Sequence, residues 1–167
     1  ISQNEFDINL LPITTALHYL PPKTYIEKFS FDFRVKQVVD IEAFKIRLIE
    51  NGYLNVDKVL SPGEFAIRGS IIDIYPMGSV VPYRIDFFAN EIDSIRTFDV
   101  DTQRGLYPTK KIKLLPAREF PLDADGISKF RDNYRTKIDG DLSRSKPYKS
   151  ISKGTPFAGI EWYLPLF

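Results

Sequence analysis

The sequence predicts an α+β fold in which one helix packs on a twisted antiparallel β-sheet. Residues 40–51 repeat their apolar side chains at helical spacing, and after them the period changes to two. Short turns join the period-two runs, whereas parallel neighbours need a crossover of about a dozen residues. The strands between residues 64 and 115 are therefore predicted to form an antiparallel meander, and a helix on such a sheet defines the α+β class.

The predicted helix has a start signal, an apolar face and a stop signal. Asp40 is a suitable N-cap, because its carboxylate can accept hydrogen bonds from backbone amides of the first turn. Gly52 stands where a left-handed residue commonly ends a helix. The apolar face consists of Ile41, Phe44 and Leu48. This pattern is typical of a helix that buries one side against a core.

The strands are assigned from alternation and from the turn residues between them. The predicted strands are residues 64–68, 71–75, 83–88, 92–98 and 111–115. Before the sheet, a short helical pattern lies between residues 10 and 20. The Pro-Pro pair at residues 21–22 ends it, because proline lacks the amide donor that a helix needs.

The segment after the sheet differs in pattern and in charge. Residues 127–137 form a predicted helix with Phe130 and Tyr134 one turn apart, and residues 139–149 form a predicted exposed loop. Residues 129–153 carry eight Lys or Arg against three Asp, whereas residues 82–101 carry five acids against two arginines. These opposite charges suggest two surfaces with different neighbours.

Composition limits the class of protein. The chain has 167 residues, of which 43% are hydrophobic, enough for one good core or two small ones. A net charge of +1 argues against a protein dominated by non-specific phosphate binding. There is no cysteine, and no apolar run approaches the roughly 18 residues of a membrane span. Because the chain opens without Met and stops on an apolar stretch, residues 160–167, we expect a piece of a longer protein.

No catalytic or cofactor motif is visible in the sequence. A phosphate-binding loop of the form G-x-x-x-x-G-K-[ST] is missing, and residues 152–155 contain its letters without the loop. His18 is the single histidine, so neither a metal site nor a catalytic triad can be assembled around it. We therefore expect no enzyme activity, no metal and no cofactor in this chain.

Three side chains form a candidate site for protein binding. Alternation places Arg68 and Arg84 on the sheet face opposite the core residues, and Phe88 shares the face of Arg84, roughly 13 Å farther along the strand. An exposed aromatic residue beside arginines is typical of interaction hot spots. Arginine also binds carboxylates through two parallel hydrogen bonds, which gives orientation as well as energy.

The pattern leaves other interpretations open. Arg84 can instead pair across the hairpin with Asp93 or Glu91, and Phe88 can tuck under a loop or the helix. A further alternative is contact of the arginines with phosphate while Phe88 stacks on a base. The neighbouring acids, Asp86 among them, would repel a nucleic-acid backbone.

Several ordered blocks resemble one protein family. Residues 63–76 resemble the signature RG-x-x-x-(D/E)-(I/L)-(F/Y)-P shared by UvrB and the transcription–repair coupling factors (Mfd). Matching blocks follow at residues 83–88, 91–96, 98–104, 114–120, 153–155 and 159–167. The runs D-T-Q-R at 101–104 and L-L-P-A-R-E-F at 114–120 look like Mfd, because UvrB tends to have a Thr-Gly pair and F-P-A-S-H there. The corresponding region of UvrB remains the alternative.

The resemblance implies a domain order within the N-terminal part of such a factor. Residues 1–33 would be the tail of a degenerate helicase-like α/β domain, residues 34–118 the inserted UvrA-interaction domain, and residues 119–167 the start of the returning helicase-like part. It also implies that the ATP-dependent DNA translocase motor lies elsewhere in the longer protein. RNA polymerase and DNA would be bound through other domains, and the protein would be cytoplasmic.

The resemblance also assigns a partner to the candidate site. The UvrA-contacting positions of the family fall on Arg68, Arg84 and Phe88, and whether Asp86 contributes stays open. In the family, the same domain is masked by a distant C-terminal domain, so one face would have two competing partners. An alternative function of a different kind is DNA binding, for which the module would use the basic residues of the segment 129–153.

Overall fold

The structure consists of a β-sheet unit followed by a smaller helical unit. The computed structural model describes residue 10 and residues 12–17, 19–21 and 23–167. The helices are α1 (Ile13–Ala16), α2 (Lys23–Phe29), α3 (Ile41–Glu50), α4 (Ala124–Lys137), α5 (Lys146–Ser152) and a 3-10 helix (Ile160–Leu166). The strands are β1 (Phe31–Arg34), β2 (Leu54–Asn55), β3 (Glu64–Arg68), β4 (Ile71–Ile74), β5 (Tyr83–Phe88), β6 (Glu91–Phe98), β7 (Gly105–Thr109) and β8 (Lys111–Leu114). His18 lies outside the described residues, so its expected lack of a metal role stays a prediction.

The main sheet confirms the predicted α+β class. Six strands lie in the order β2-β3-β4-β5-β6-β7, and from β3 onward every neighbour is antiparallel. Strand β2, which lies before the predicted strands, adds an edge that runs parallel to β3. The connection through residues 56–63 can be short because only two residues of β2 are paired. The predicted last strand exists as β8, but it pairs with β1 in a separate two-stranded sheet.

Helix α3 packs on the sheet as its sequence pattern predicts. The Asp40 carboxylate caps it by accepting hydrogen bonds from the amides of Glu42 and Ala43, at 3.0 and 3.1 Å. Phe44 and Leu48 are buried in the main core, which also contains the inward side chains of β3 to β6 and of the β1–β8 pair. The helix therefore covers one face of the sheet and leaves the opposite face, here called the outer face, without a covering helix.

A β-bulge in the β5–β6 hairpin changes which side chains point inward. Asp86 pairs with Ser94, but the next residue, Phe87, pairs with Ile92. Asp93 is therefore an extra residue on β6 without an opposite partner, as in a β-bulge. An extra residue shifts the two-residue alternation by one position along the rest of the strand.

The bulge explains a small second core on the outer face. Ile92 and Ile95 both enter the main core although they are three positions apart, an odd spacing that regular alternation would place on opposite faces. Phe98, three residues farther, falls on the outer face and is buried there with Val59 and Ala66. One end of the outer face is thus closed by apolar packing, while the other end is open.

The helical unit has its own core and corrects one prediction. The predicted helix of residues 127–137 is confirmed as α4, which buries Phe130 and Tyr134. The predicted exposed loop of residues 139–149 is wrong from residue 146 on, where α5 begins. The hydroxyl of Ser145 caps α5 by accepting from the Tyr148 amide at 3.2 Å, and proline is tolerated in a first turn, where its missing amide would have no intrahelical partner. Local capping therefore overrides the loop-like composition.

Hydrogen bonds tie helix α2 to the segment that follows β8. The Tyr25 hydroxyl on α2 donates to the carbonyl oxygens of Arg118 and Phe120, at 3.1 and 3.2 Å. The predicted domain boundaries at residues 34 and 118 stay predictions; the first falls on the last residue of β1. Within the described part of the chain, no helix combines the length and apolarity needed to cross a membrane.

Candidate protein-docking surface

The strand register assembles the outer face in two rows of side chains. The first row is Ala66, Asp73, Arg84 and Arg96, and the second is Arg68, Ile71, Asp86 and Ser94. Phe88 lies one step farther along β5, beyond the end of β4. The three predicted site residues therefore share the outer face, as alternation predicted.

A buried carboxylate lies at the centre of this face. The side chain of Asp73 on β4 is 0% exposed. It accepts two parallel hydrogen bonds from its cross-strand neighbour Arg84, from Nε to Oδ1 at 2.7 Å and from Nη2 to Oδ2 at 2.9 Å. Nη2 of Arg68 donates to the same Oδ2 atom. One carboxylate thus holds both predicted arginines.

Arg84 is largely committed within the protein. Its Nη1 donates to the Gln103 carbonyl at 3.1 Å, and its guanidinium lies 5.1 Å above the Phe98 ring. The hydrogen bonds to Asp73 raise the pKa of Arg84 above its ordinary value, although partial burial acts in the opposite direction. Only 18% of the side chain is exposed. Arg84 is therefore charged and oriented, with a small accessible edge.

The alternative pairing of Arg84 across the hairpin is not the one that forms. Glu91 and Asp93 instead accept from Lys36, at 3.2 and 3.4 Å. These two carboxylates raise the pKa of Lys36. The reason is geometric, because Asp73 is directly opposite Arg84 in the β4–β5 register, whereas Arg96 is its neighbour on β6.

Arg68 and Phe88 are the accessible members of the set. The Arg68 side chain is 49% exposed despite its bond to Asp73, and Phe88 is 80% exposed. The alternative in which Phe88 tucks under a loop or helix is therefore wrong. Between them, Asp86 accepts from Ser94 at 2.8 Å and from Arg96 at 2.6 Å, so its carboxylate is also engaged within the face. The outer face thus carries an open aromatic ring and two oriented guanidinium groups.

Sequence reasoning missed Asp73, although a signal was present. Asp73 is the single charged residue in a run of isoleucines, and alternation places it on the face of Arg68 rather than with the core. A charged residue in the interior of an apolar strand needs a partner, because an unpaired buried charge is costly. The pairing of β4 with β5, which supplies Arg84, is a long-range feature that spacing alone does not give.

The basic segment 129–153 is partly neutralised by contacts of its own. Arg131 and Arg135 both lie against the Tyr148 ring, 5.9 and 5.6 Å from its centroid. The hydrogen bond from Arg131 lowers the pKa of the Tyr148 hydroxyl. Arg135 and Arg144 also pair with Asp132 and Asp141, at 3.4 and 3.5 Å. These contacts reduce the number of cations available to a phosphate backbone.

The fold places the chain among interaction domains, as a family comparison shows. The family model described as "UvrB interaction domain" matches residues 31–120, and the chain belongs to that family. Among the described residues, no group of three His, Cys, Asp or Glu side chains is placed to hold a metal ion.

The particular proteins that the chain resembles are transcription-repair-coupling factors. The one from Haemophilus influenzae is 46% identical over 96% of the chain and 14% of its own length. The Escherichia coli factor is 40% identical over 95% of the chain and 14% of its length, and the Bacillus subtilis factor 34% over 87% and 12%. The predicted resemblance to this family is thus confirmed, and the chain spans only 12–14% of these curated relatives.

Proposed function

We propose that the chain docks the nucleotide-excision-repair protein UvrA through its outer face. The observation that carries the proposal is the open ring of Phe88 on the same face as two guanidinium groups that share the buried Asp73 carboxylate. Membership in the UvrB interaction domain family supports the choice of partner. The docking step involves no chemistry on the chain itself.

The three site residues contribute differently in this proposal. Phe88 fills an apolar pocket on UvrA, because 80% of its surface is free to be buried. Arg68 supplies charge-assisted hydrogen bonds to UvrA carboxylates from its exposed half. Arg84 uses three of its five N–H groups internally and offers the remaining edge to the same carboxylates.

Calorimetric titration of the chain against UvrA tests this function. We expect Phe88→Ala to weaken binding by at least about 2 kcal/mol, roughly thirtyfold, because a central aromatic contact is lost. We expect Arg68→Ala to cost about 1–2 kcal/mol, because it removes a half-exposed charged contact.

Trp162→Ala is the matched control, since it removes another exposed aromatic ring from the helical unit, away from the outer face. It should bind UvrA like the unchanged chain. Wild-type affinity for both Phe88→Ala and Arg68→Ala would refute the proposed docking.

In the longer protein, docking would couple a stalled RNA polymerase to repair in the bacterial cytoplasm. RNA polymerase and DNA would be bound by other domains, and ATP would be used by a translocase motor outside this chain. A C-terminal domain of the same protein would compete with UvrA for the outer face. The resemblance to transcription-repair-coupling factors supports these assignments.

A further inference from the structure

We propose that Asp73 is a positioning residue of the docking surface, which holds Arg68 and Arg84 in the orientation that UvrA binds. This inference rests on the UvrA docking proposed above. Asp73 is fully buried, so its carboxylate lies beneath the guanidinium groups and does not reach a partner itself. Its effect on binding must therefore pass through the two arginines.

Positioning matters because arginine side chains are long and lose rotamer freedom on binding. The Arg68 side chain is half exposed, and its bond to the buried Asp73 is the contact that fixes its guanidinium. Arg84 is fixed from two sides, by Asp73 and by the Gln103 carbonyl. A surface ordered in this way before the partner arrives loses less entropy on docking.

Because Asp73 is negatively charged, an effect of net charge and an effect of positioning predict opposite changes in UvrA affinity. Asp73→Asn removes a negative charge and makes the outer face more positive by one unit. If only net charge mattered, an acidic partner surface would bind this variant as tightly as the original or more tightly. If Asp73 acts by positioning, the same variant binds more weakly, because asparagine has one acceptor oxygen and an NH2 group that cannot accept the second arginine hydrogen bond.

The experiment is titration of single variants, and of one double variant, against UvrA at low temperature. We expect Asp73→Asn to weaken binding about tenfold, the size expected when two ordered side chains become mobile. Asp32→Asn is the matched control, because it makes the same charge change at an exposed strand position in the separate β1–β8 sheet. It should stay within about twofold of the unchanged chain. Phe88→Ala reports on docking itself.

Urea unfolding of each variant separates positioning from loss of fold. Titration is done where every variant is fully folded, so a role in stability alone lowers the urea midpoint without changing affinity. In an Arg68→Ala background, Asp73→Asn should reduce UvrA affinity by a smaller factor, because Arg84 is then the one remaining arginine that Asp73 can position. If Asp73→Asn does not fold, Asp73→Glu keeps the charge but displaces the carboxylate, and positioning again predicts weaker binding.

The outcomes distinguish the two proposals. Wild-type affinity of Phe88→Ala and Arg68→Ala would overturn the docking function itself. If Phe88→Ala binds weakly while Asp73→Asn binds as tightly as the original or more tightly, docking stands and the positioning role is wrong. An undiminished effect of Asp73→Asn in the Arg68→Ala background would also overturn the positioning role.

Discussion

Arg84 combines a structural role with its predicted contact role. It is the main partner of a fully buried carboxylate, and its guanidinium also lies over Phe98 in the small second core. An alanine substitution there changes more than a contact surface. A loss of UvrA affinity in Arg84→Ala therefore has to be compared with the change in the free energy of unfolding.

We predict that Arg84→Ala lowers the free energy of unfolding by about 3 kcal/mol, because it leaves the buried Asp73 with one half-exposed partner. Urea unfolding followed by circular dichroism measures the change. Arg104→Ala, at an exposed position next to Gln103, should cost less than about 0.5 kcal/mol. Equal midpoints for the two variants would contradict this account of Arg84.

At the scale of elements, sequence patterns were most informative where local chemistry is strong. Helix α3 was predicted with its cap because Asp40 and the spacing of Phe44 and Leu48 act within a few residues of chain. Strands β2 and β7 were missed, because β2 has two residues and β7 contains a proline. Such strands exist through pairing with a neighbour rather than through their own propensity.

The end of α3 gives a test of backbone constraint. Gly52 has φ +89°, and a Cβ there would lie 2.3 Å from Cγ of Arg118. Gly69 also has positive φ, at +60°, but a Cβ there meets nothing within 4 Å. Positive φ would strain any residue with a Cβ at either position, and the two positions differ in available space.

We predict that Gly69→Ala costs about 1 kcal/mol of stability from strain alone. Gly52→Ala should cost about 2–3 kcal/mol, because the Arg118 side chain must also move. Thermal and urea unfolding of both variants test whether Gly52→Ala loses more stability than Gly69→Ala. A cost at Gly52 no larger than at Gly69 would show that Arg118 relocates freely.

At the scale of the whole molecule, two cores are joined around residue 118, and they carry different surfaces. The sheet unit presents the outer face, and the helical unit presents the basic segment 129–153. The DNA-binding alternative belongs to the second surface. Its cations are partly paired, and the net charge of the chain is +1.

We predict that the chain shows no salt-sensitive DNA binding near physiological ionic strength, because its net charge is +1 and three arginines of the segment 129–153 contact partners within that segment. Fluorescence anisotropy with a labelled duplex across a salt series measures this. Binding that weakens steeply with salt, and that is lost in an Arg131→Gln, Lys149→Gln variant, would instead establish the DNA-binding alternative.

Local patterns in the sequence are enough to predict the α+β class, the capped helix α3, most strands of the meander and the common face of Arg68, Arg84 and Phe88. These follow from periodicities and caps that act over a few residues. Long-range packing instead sets the partner of Arg84, the bulge at Asp93, the parallel edge strand and the pairing of β1 with β8. Each of these depends on which distant strands become neighbours, because a register can be fixed only when the strands pack together.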